Sequence, residues 1–207
     1  MTLTEVLVVV VVLAILAAII LPRLADAKRK GGGIYCVNNV KQIILAFRIW
    51  ANDHNGKFPM EISTANGGTK GLASIGDAFS TYRIMTNELN TPRILFCPAE
   101  PNYYNLRGTS WVNFTAKQVS YFIGLDANTN RPQAILTGDD NFAIGGVPVK
   151  SGLLKVSTNA PISWTAERHK NHGNFGLVDG SATQADPKPL VRALIETGLA
   201  TNRFAIP

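Results

Sequence analysis

The sequence predicts an α+β protein in which a long N-terminal helix is packed by an antiparallel β-sheet body and followed by a short C-terminal helix. Three observations predict it. Residues 1–22 carry one charge, Glu5, and lead into an amphipathic stretch that ends near Asn55-Gly56. Short segments rich in aromatic and β-branched residues then alternate with Gly, Pro and Asn, as in strands joined by turns. Near the end, Asp186-Pro187 and Gly198 bracket a second helical pattern.

The chain has 207 residues, enough for one ordinary domain and an appendage. Charged residues make up 16%, against roughly 25% in typical soluble domains, and all but Glu5 follow Pro22. The chain therefore divides into a hydrophobic helix at 1–30, expected as a membrane anchor, and a body at 31–207 that includes the amphipathic half of the long helix. A net charge of +6 is too diffuse to single out nucleic acid as a specific partner. Three Trp, five Tyr and nine Phe argue against disorder. Two cysteines exclude a four-cysteine zinc site and, without Cys-x-x-Cys-His, a c-type haem.

Val6 to Leu21 is unbroken apolar sequence, about 24 Å long as a helix. Counted from Met1 it reaches about 31 Å, close to a bilayer core of about 30 Å. No basic residues precede the run and Pro22-Arg23-Leu24 makes a poor cleavage site, so it does not read as a secretory signal. Its orientation is expected to come from a segment upstream of Met1. An acid in an apolar helix costs a few kcal/mol on insertion scales and calls for a partner. A free α-amino group on Met1 of a neighbouring copy is one such partner: at 4 Å and an effective dielectric near 20 the attraction is about 4 kcal/mol before desolvation. The simpler alternative is a single-pass anchor whose Glu5 snorkels to the interface. Pro22 cannot bond the carbonyl of Ala18, at a cost of about 3 kcal/mol, which predicts a kink or unwound segment between Ala14 and Arg23. Gly31-Gly32-Gly33 predicts a second break or bend.

From Ile34 the helix resumes, with Val37, Val40, Ile44, Phe47 and Ala51 on one face, widened by Ile43 and Trp50. Cys36 and Cys97 stand 61 positions apart and fit no metal-ligand spacing. A disulfide between them would contribute about 4 kcal/mol through chain entropy and suits an oxidising compartment; two buried free thiols are the alternative. Residues 60–75 read as loop, followed by a short helix over 77–85. Strands are expected at Ser120–Leu125, Ala134–Thr137, Ile162–Thr165 and Asn174–Val178. Asp179-Gly180 turns the last of these into Ala182–Ala185. Asp186 is the expected N-cap of the final helix, with Leu190, Val191, Leu194 and Ile195 on its apolar face.

Met-Thr-Leu-Thr-Glu-Val-Leu-Val-Val-Val, with Leu-Ala-Ile-Leu-Ala-Ala-Ile-Ile-Leu-Pro after it, resembles the mature N-terminus of type IV pilins and type II secretion pseudopilins. Glu5 and Pro22 occupy the family's positions, and Met1 stands where Phe is usual. His169, nine intervening residues and Asp179-Gly180 resemble the His-x9-Asp-Gly signature of prepilin-like proteins. Cys36-Val-Asn-Asn-Val-Lys-Gln and Phe96-Cys97-Pro98 extend the likeness over most of the chain. The resemblance implies a pilin-like fold, cleavage of a basic leader by a prepilin peptidase and methylation of the new N-terminus. It also implies assembly by pilus or secretion machinery from the inner membrane into a homo-oligomeric helical filament outside the cytoplasm.

No catalytic role is expected. The signature residues His169, Asp179 and Gly180 read as structural, with the imidazole hydrogen-bonding near the turn. His169, Asp179 and Ser181 supply the residue types of a hydrolase triad, but Ser181 lacks a nucleophile-elbow context. Asp126, Asn128, Asp139 and Asp140 offer oxygen ligands, and resemblance to calcium-holding major pseudopilins implies a calcium site there; Arg131 and Thr137 stand where an EF-hand needs Gly and Glu. Solvated turns are the plain reading of the same residues. Asn113-Phe-Thr115 is a glycosylation sequon of a kind common by chance. No cofactor is required. The function expected is structural: a subunit of a type IV pilus-like or pseudopilus filament, polymerising through Glu5 and the N-terminal amine. The alternatives are a pseudopilin of a type II secretion machine, a membrane-anchored binding module and a tethered hydrolase.

Overall fold

The structure, a computed structural model, describes residues 2–101 and 103–207, with the side chains of all of these except 22–32 and 104. Helix α1 spans Leu3–Asp53 without interruption. The breaks expected at Pro22 and at Gly31–Gly33 are therefore corrected. A proline removes one hydrogen bond from a rod whose flanking turns propagate cooperatively. Gly33 is buried within the helix, and a Cβ there would come within 2.5–2.9 Å of the end of the Gln184 side chain. The helix ends as the sequence predicts. Asn55 and Gly56 take left-handed conformations and Gly56 N–H donates to Ala51 O at 2.8 Å.

Val40, Ile43, Ile44, Ala46, Phe47, Trp50 and Ala51 are buried along the body half of α1. Short helices α2 (Lys70–Ser74), α3 (Ala78–Ile84), α4 (Thr86–Leu89) and α5 (Tyr103–Leu106) line the chain between α1 and the sheet. The loop expected over 60–75 thus contains α2. Asp77 caps α3, its carboxylate accepting from Ser80 N at 2.9 Å.

The strands are β1 (Tyr121–Gly124), β2 (Ile135–Asp139), β3 (Phe142–Ile144), β4 (Val147–Pro148), β5 (Gly152–Ser157), β6 (Ile162–Trp164), β7 (Gly173–Leu177), β8 (Ala182–Ala185) and β9 (Thr201–Ile206). The described residues form an antiparallel six-stranded sheet, β5-β9-β1-β2-β7-β8, and a three-stranded one, β4-β3-β6. Both faces of the larger sheet are covered. Tyr121, Ile123, Leu136 and Ala205 pack on the α1 side, whereas Phe122, Ile135, Phe175, Phe204 and Ile206 join a second core with the small sheet and α6 (Pro187–Glu196). The period-2 alternation of β1 places neighbouring residues in different cores.

Helix α6 buries Leu190, Ala193 and Leu194 and leaves Ile195 exposed. Asp186 makes no capping hydrogen bond; its carboxylate meets His172 Nε2 at 3.1 Å. Four strands, β3, β4, β5 and β9, were not anticipated by the sequence pattern, and β9 lies between β5 and β1 in the main sheet.

Phe47 is fully buried and stacks edge-on to Phe58 and Tyr82. Phe47→Ala is expected to lower stability by about 3–5 kcal/mol, measured by urea unfolding of the detergent-solubilised chain followed by tryptophan fluorescence. A loss below about 1 kcal/mol would contradict this core.

Candidate functional site: a buried thiol, carboxylate and imidazole cluster

Four elements deliver one side chain each to a point between α1 and the sheet. Cys36 comes from the first buried turns of α1. Cys97 follows a single-turn helix at Pro92–Leu95, with its N–H donating to Ser120 Oγ at 3.1 Å. Asp139 ends β2. His169 lies in the connection from β6 to β7, where His169, Lys170 and Asn171 all have positive φ. Three consecutive left-handed residues other than glycine are unfavourable, and neighbouring bonds hold them. Asn171 N–H donates to Thr165 O, and the Asn141 side-chain amide donates to the carbonyls of Arg168 and His172.

One ligand-capable atom from each of Cys36, Cys97, Asp139 and His169 lies within 4.8 Å of all the others. The sulfurs are 2.6 Å apart, Cys97 Sγ is 3.1 Å from His169 Nε2, and that nitrogen is 3.5 Å from Asp139 Oδ2. Asp139 and both cysteines are fully buried, and the imidazole side chain is 3% exposed. Asp139 Oδ2 accepts from Asn174 N at 2.9 Å and from its side-chain Nδ2 at 2.6 Å, while Oδ1 is buried with no hydrogen-bond partner.

Burial raises the Asp139 carboxyl above its usual range against the pull of Arg168, His169 and the Asn174 bonds. Burial and the Cys36 contact push the Cys97 thiol up. At His169 burial acts downward, but the Cys97 contact and the charge of Asp139 carry the imidazole above its ordinary value. Arg168, 6% exposed, closes one side of the cluster. It bonds Glu100 Oε1 at 3.0 Å, Asp140 Oδ1 and the Ser120 carbonyl.

Cys36 and Cys97, the pair expected to form a disulfide, are adjacent and buried, with their sulfurs 2.6 Å apart. His169 does not serve the Asp179-Gly180 turn either. Its ring faces Cys97 and Asp139, whereas Asp179 Oδ1 accepts from Ser181 N at 2.8 Å, Asp179 O accepts from Arg48 and Gly180 supplies φ +99° between β7 and β8. Among the described residues no hydrogen bond joins His169 to Asp179 or Ser181, so the triad's residue types are not assembled. Asp139, expected among calcium ligands, belongs to the thiol cluster. Asp140 is held by Arg168, and Asp126 accepts from Arg203 N, Nε and NH2 at 2.6–2.9 Å. Asp126 and Asn128 line a cleft of about 470 Å³ with Lys57, Lys70, Arg131 and Arg203, a basic setting for a dication.

At the other end, Leu3–Leu21 is 19 residues long, none of them buried, and apolar enough to cross a membrane. Glu5 sits in a capping box: Thr2 N–H donates to Glu5 Oε2 at 2.7 Å, and Glu5 N–H to Thr2 Oγ1 at 3.4 Å. Pro22 lies within α1, and Met1 lies outside the described residues. Comparison with protein-family models, curated proteins and solved structures gives no match.

Arg168 neutralises two acids in a largely buried setting, so Arg168→Ala is expected to cost about 3 kcal/mol. Arg203→Ala, which removes a guanidinium 49% exposed beside Asp126, is expected to cost less than about 1 kcal/mol. Thermal unfolding of both variants checks the ranking, which equal losses would contradict.

Proposed function

We propose that this chain is a structural subunit of an extracytoplasmic type IV pilus-like or pseudopilus filament, held in the inner membrane by its N-terminal helix before assembly. The observation that carries the reading is the contrast between the two ends of α1. Residues 33–51 form the spine of a core, while Leu3–Leu21, apolar on every face beyond Glu5, has no buried residue. Such a helix needs either lipid or other helices around it. The likeness of residues 1–24 to the mature end of type IV pilins supports the second destination.

Transfer from lipid to a helical bundle moves apolar surface between apolar surroundings, so packing and polar contacts must direct it. In the single chain Glu5 is already bonded to the Thr2 amide. In a staggered parallel bundle the same carboxylate would face the Met1 amine of the next copy, one repeat along the axis. Repeating that head-to-tail offset without closure builds an open fibre, with the bodies on the outside. Processing by a prepilin peptidase and recruitment by assembly machinery belong to this proposal.

Glutamine also serves at the third position of a capping box, so Glu5→Gln retains the cap and removes the charge. The expected outcome is a folded, membrane-bound chain that forms no fibres, scored by immunoblotting membranes and imaging sheared surface material. Glu5→Ala is expected to fail in the same way. Normal fibres from Glu5→Gln would eliminate the charge pair as the assembly contact.

A further inference from the structure

We propose that Cys36, Cys97, Asp139 and His169 form a closed, structural zinc-binding centre that ties the long helix to the sheet. The four residues are the ligand types of tetrahedral zinc, and each comes from a different element. Bonds of about 2.0–2.3 Å space tetrahedral ligand atoms roughly 3.3–3.8 Å apart. The Cys97–His169 contact of 3.1 Å and the His169–Asp139 contact of 3.5 Å lie near that spacing. The sulfurs, at 2.6 Å, would spread by about 1 Å to reach it.

The direction of the imidazole separates this reading from nucleophilic catalysis. A cysteine–histidine–aspartate triad uses one ring nitrogen for the nucleophile and the other for the carboxylate. Here Nε2 faces both the sulfur and the carboxylate, which is convergence on a point. The unpartnered Asp139 Oδ1 is a second, independent indication. A fully buried carboxylate oxygen without a donor is costly, and coordination of Asp139 would place a dication beside it. Asn174, with two hydrogen bonds to Oδ2, fixes the carboxylate as outer partners of metal ligands do.

Binding releases to solvent one proton from each thiol and any proton carried by the imidazole–carboxylate pair. Two thiolates, one carboxylate and a neutral imidazole around Zn²⁺ leave one net negative charge. Arg168, whose charge acts on both Asp139 and His169, partly offsets it. The competing fate of the cysteines is oxidation, in which an external thiol oxidant accepts two electrons as both S–H bonds are lost and one S–S bond forms. That product has no thiolates to give a metal.

The test uses the full chain in detergent, purified once with reductant and once without, with zinc per chain measured by elemental analysis and thiols counted by alkylation. The expected result is one zinc per chain in both preparations and two thiols protected until a chelator is added. His169→Gln and Asp139→Asn should weaken zinc binding by at least ~10-fold, while His172→Gln, whose ring faces Asp186 at the surface, should not. Should those variants fail to fold, cobalt(II) replacement in the unmodified chain reads the site directly through tetrahedral ligand-field bands and thiolate charge-transfer bands. Three results would overturn the proposal: a Cys36–Cys97 disulfide and no metal in the preparation without reductant; a reduced, folded chain that takes up no zinc; or cobalt bound without thiolate bands. None of these bears on fibre formation by Glu5 variants, so this inference and the filament reading fail separately.

Discussion

The seating of one face of α1, from Gly33 to Ala51, on the sheet is the constraint from which the other arrangements follow. Val40 and Ile44 pack over Gly176 of β7, Phe47 meets Phe58 and Tyr82, and Gly33 lies beside the end of the Gln184 side chain. Once this face is down, the helical repeat brings Cys36 to the last residue of β2, where Asp139 waits. The opposite face of the sheet is then free to take the second core of Phe122, Phe175 and Phe204. The same rod continues beyond the body as Leu3–Leu21, so the burial that organises the body also aims the exposed segment.

What was legible in the sequence follows from periodicity and local punctuation. The buried face of α1 was readable because apolar residues recur at three and four, and the β7–β8 hairpin because Asp179-Gly180 meets a conformational demand of the turn. Helix α6 was readable from Pro187 and Gly198, although Asp186 gave its carboxylate to His172 instead of the helix. The breaks expected at Pro22 and Gly31–Gly33 rest on intrinsic propensity, which the cooperativity of a long helix overrides. The missed strands had weak local signals. Thr201–Ile206 follows a helix stop and looks like a tail, while β5 alternates exposed Leu153 and Lys155 as an edge strand. The Thr2-x-x-Glu5 capping box, by contrast, is written in the sequence as a local motif.

The buried cluster was not legible, and the reason is physical. Metal-site reading depends on short spacings within one turn or hairpin, and here every ligand comes from a separate element. Cys36 and Cys97 invited pairing with each other because they were the only cysteines. His169 invited pairing with Asp179 because a short signature joined them. The fold splits that signature: its glycine shapes the turn, while left-handed backbone at 169–171 turns the imidazole inward toward β2. Only the register of β2 beside β7, with Asn174 opposite the Asp139 carboxylate, reveals the fourth partner.

Glu5 and Asp139 are two acids in apolar surroundings, stabilised by different means. Asp139 is fully buried, and its Oδ2 accepts two bonds from Asn174. Glu5 is exposed, and its bond to Thr2 N–H covers one of the amides that every helix start leaves unpaired. In hydrocarbon an unpaired amide is costly, so an apolar helix entering a bundle benefits from this cap whether or not a neighbour is present. Capping also leaves capacity to spare, because a carboxylate has about four lone-pair sites and Oε2 accepts one bond from Thr2 N–H. A neighbouring ammonium can therefore add to the cap without displacing it. The Thr2 bond then holds the carboxylate at the helix start, where the positive end of the helix dipole favours its charge, so in the proposed filament an incoming copy would meet an acid already oriented.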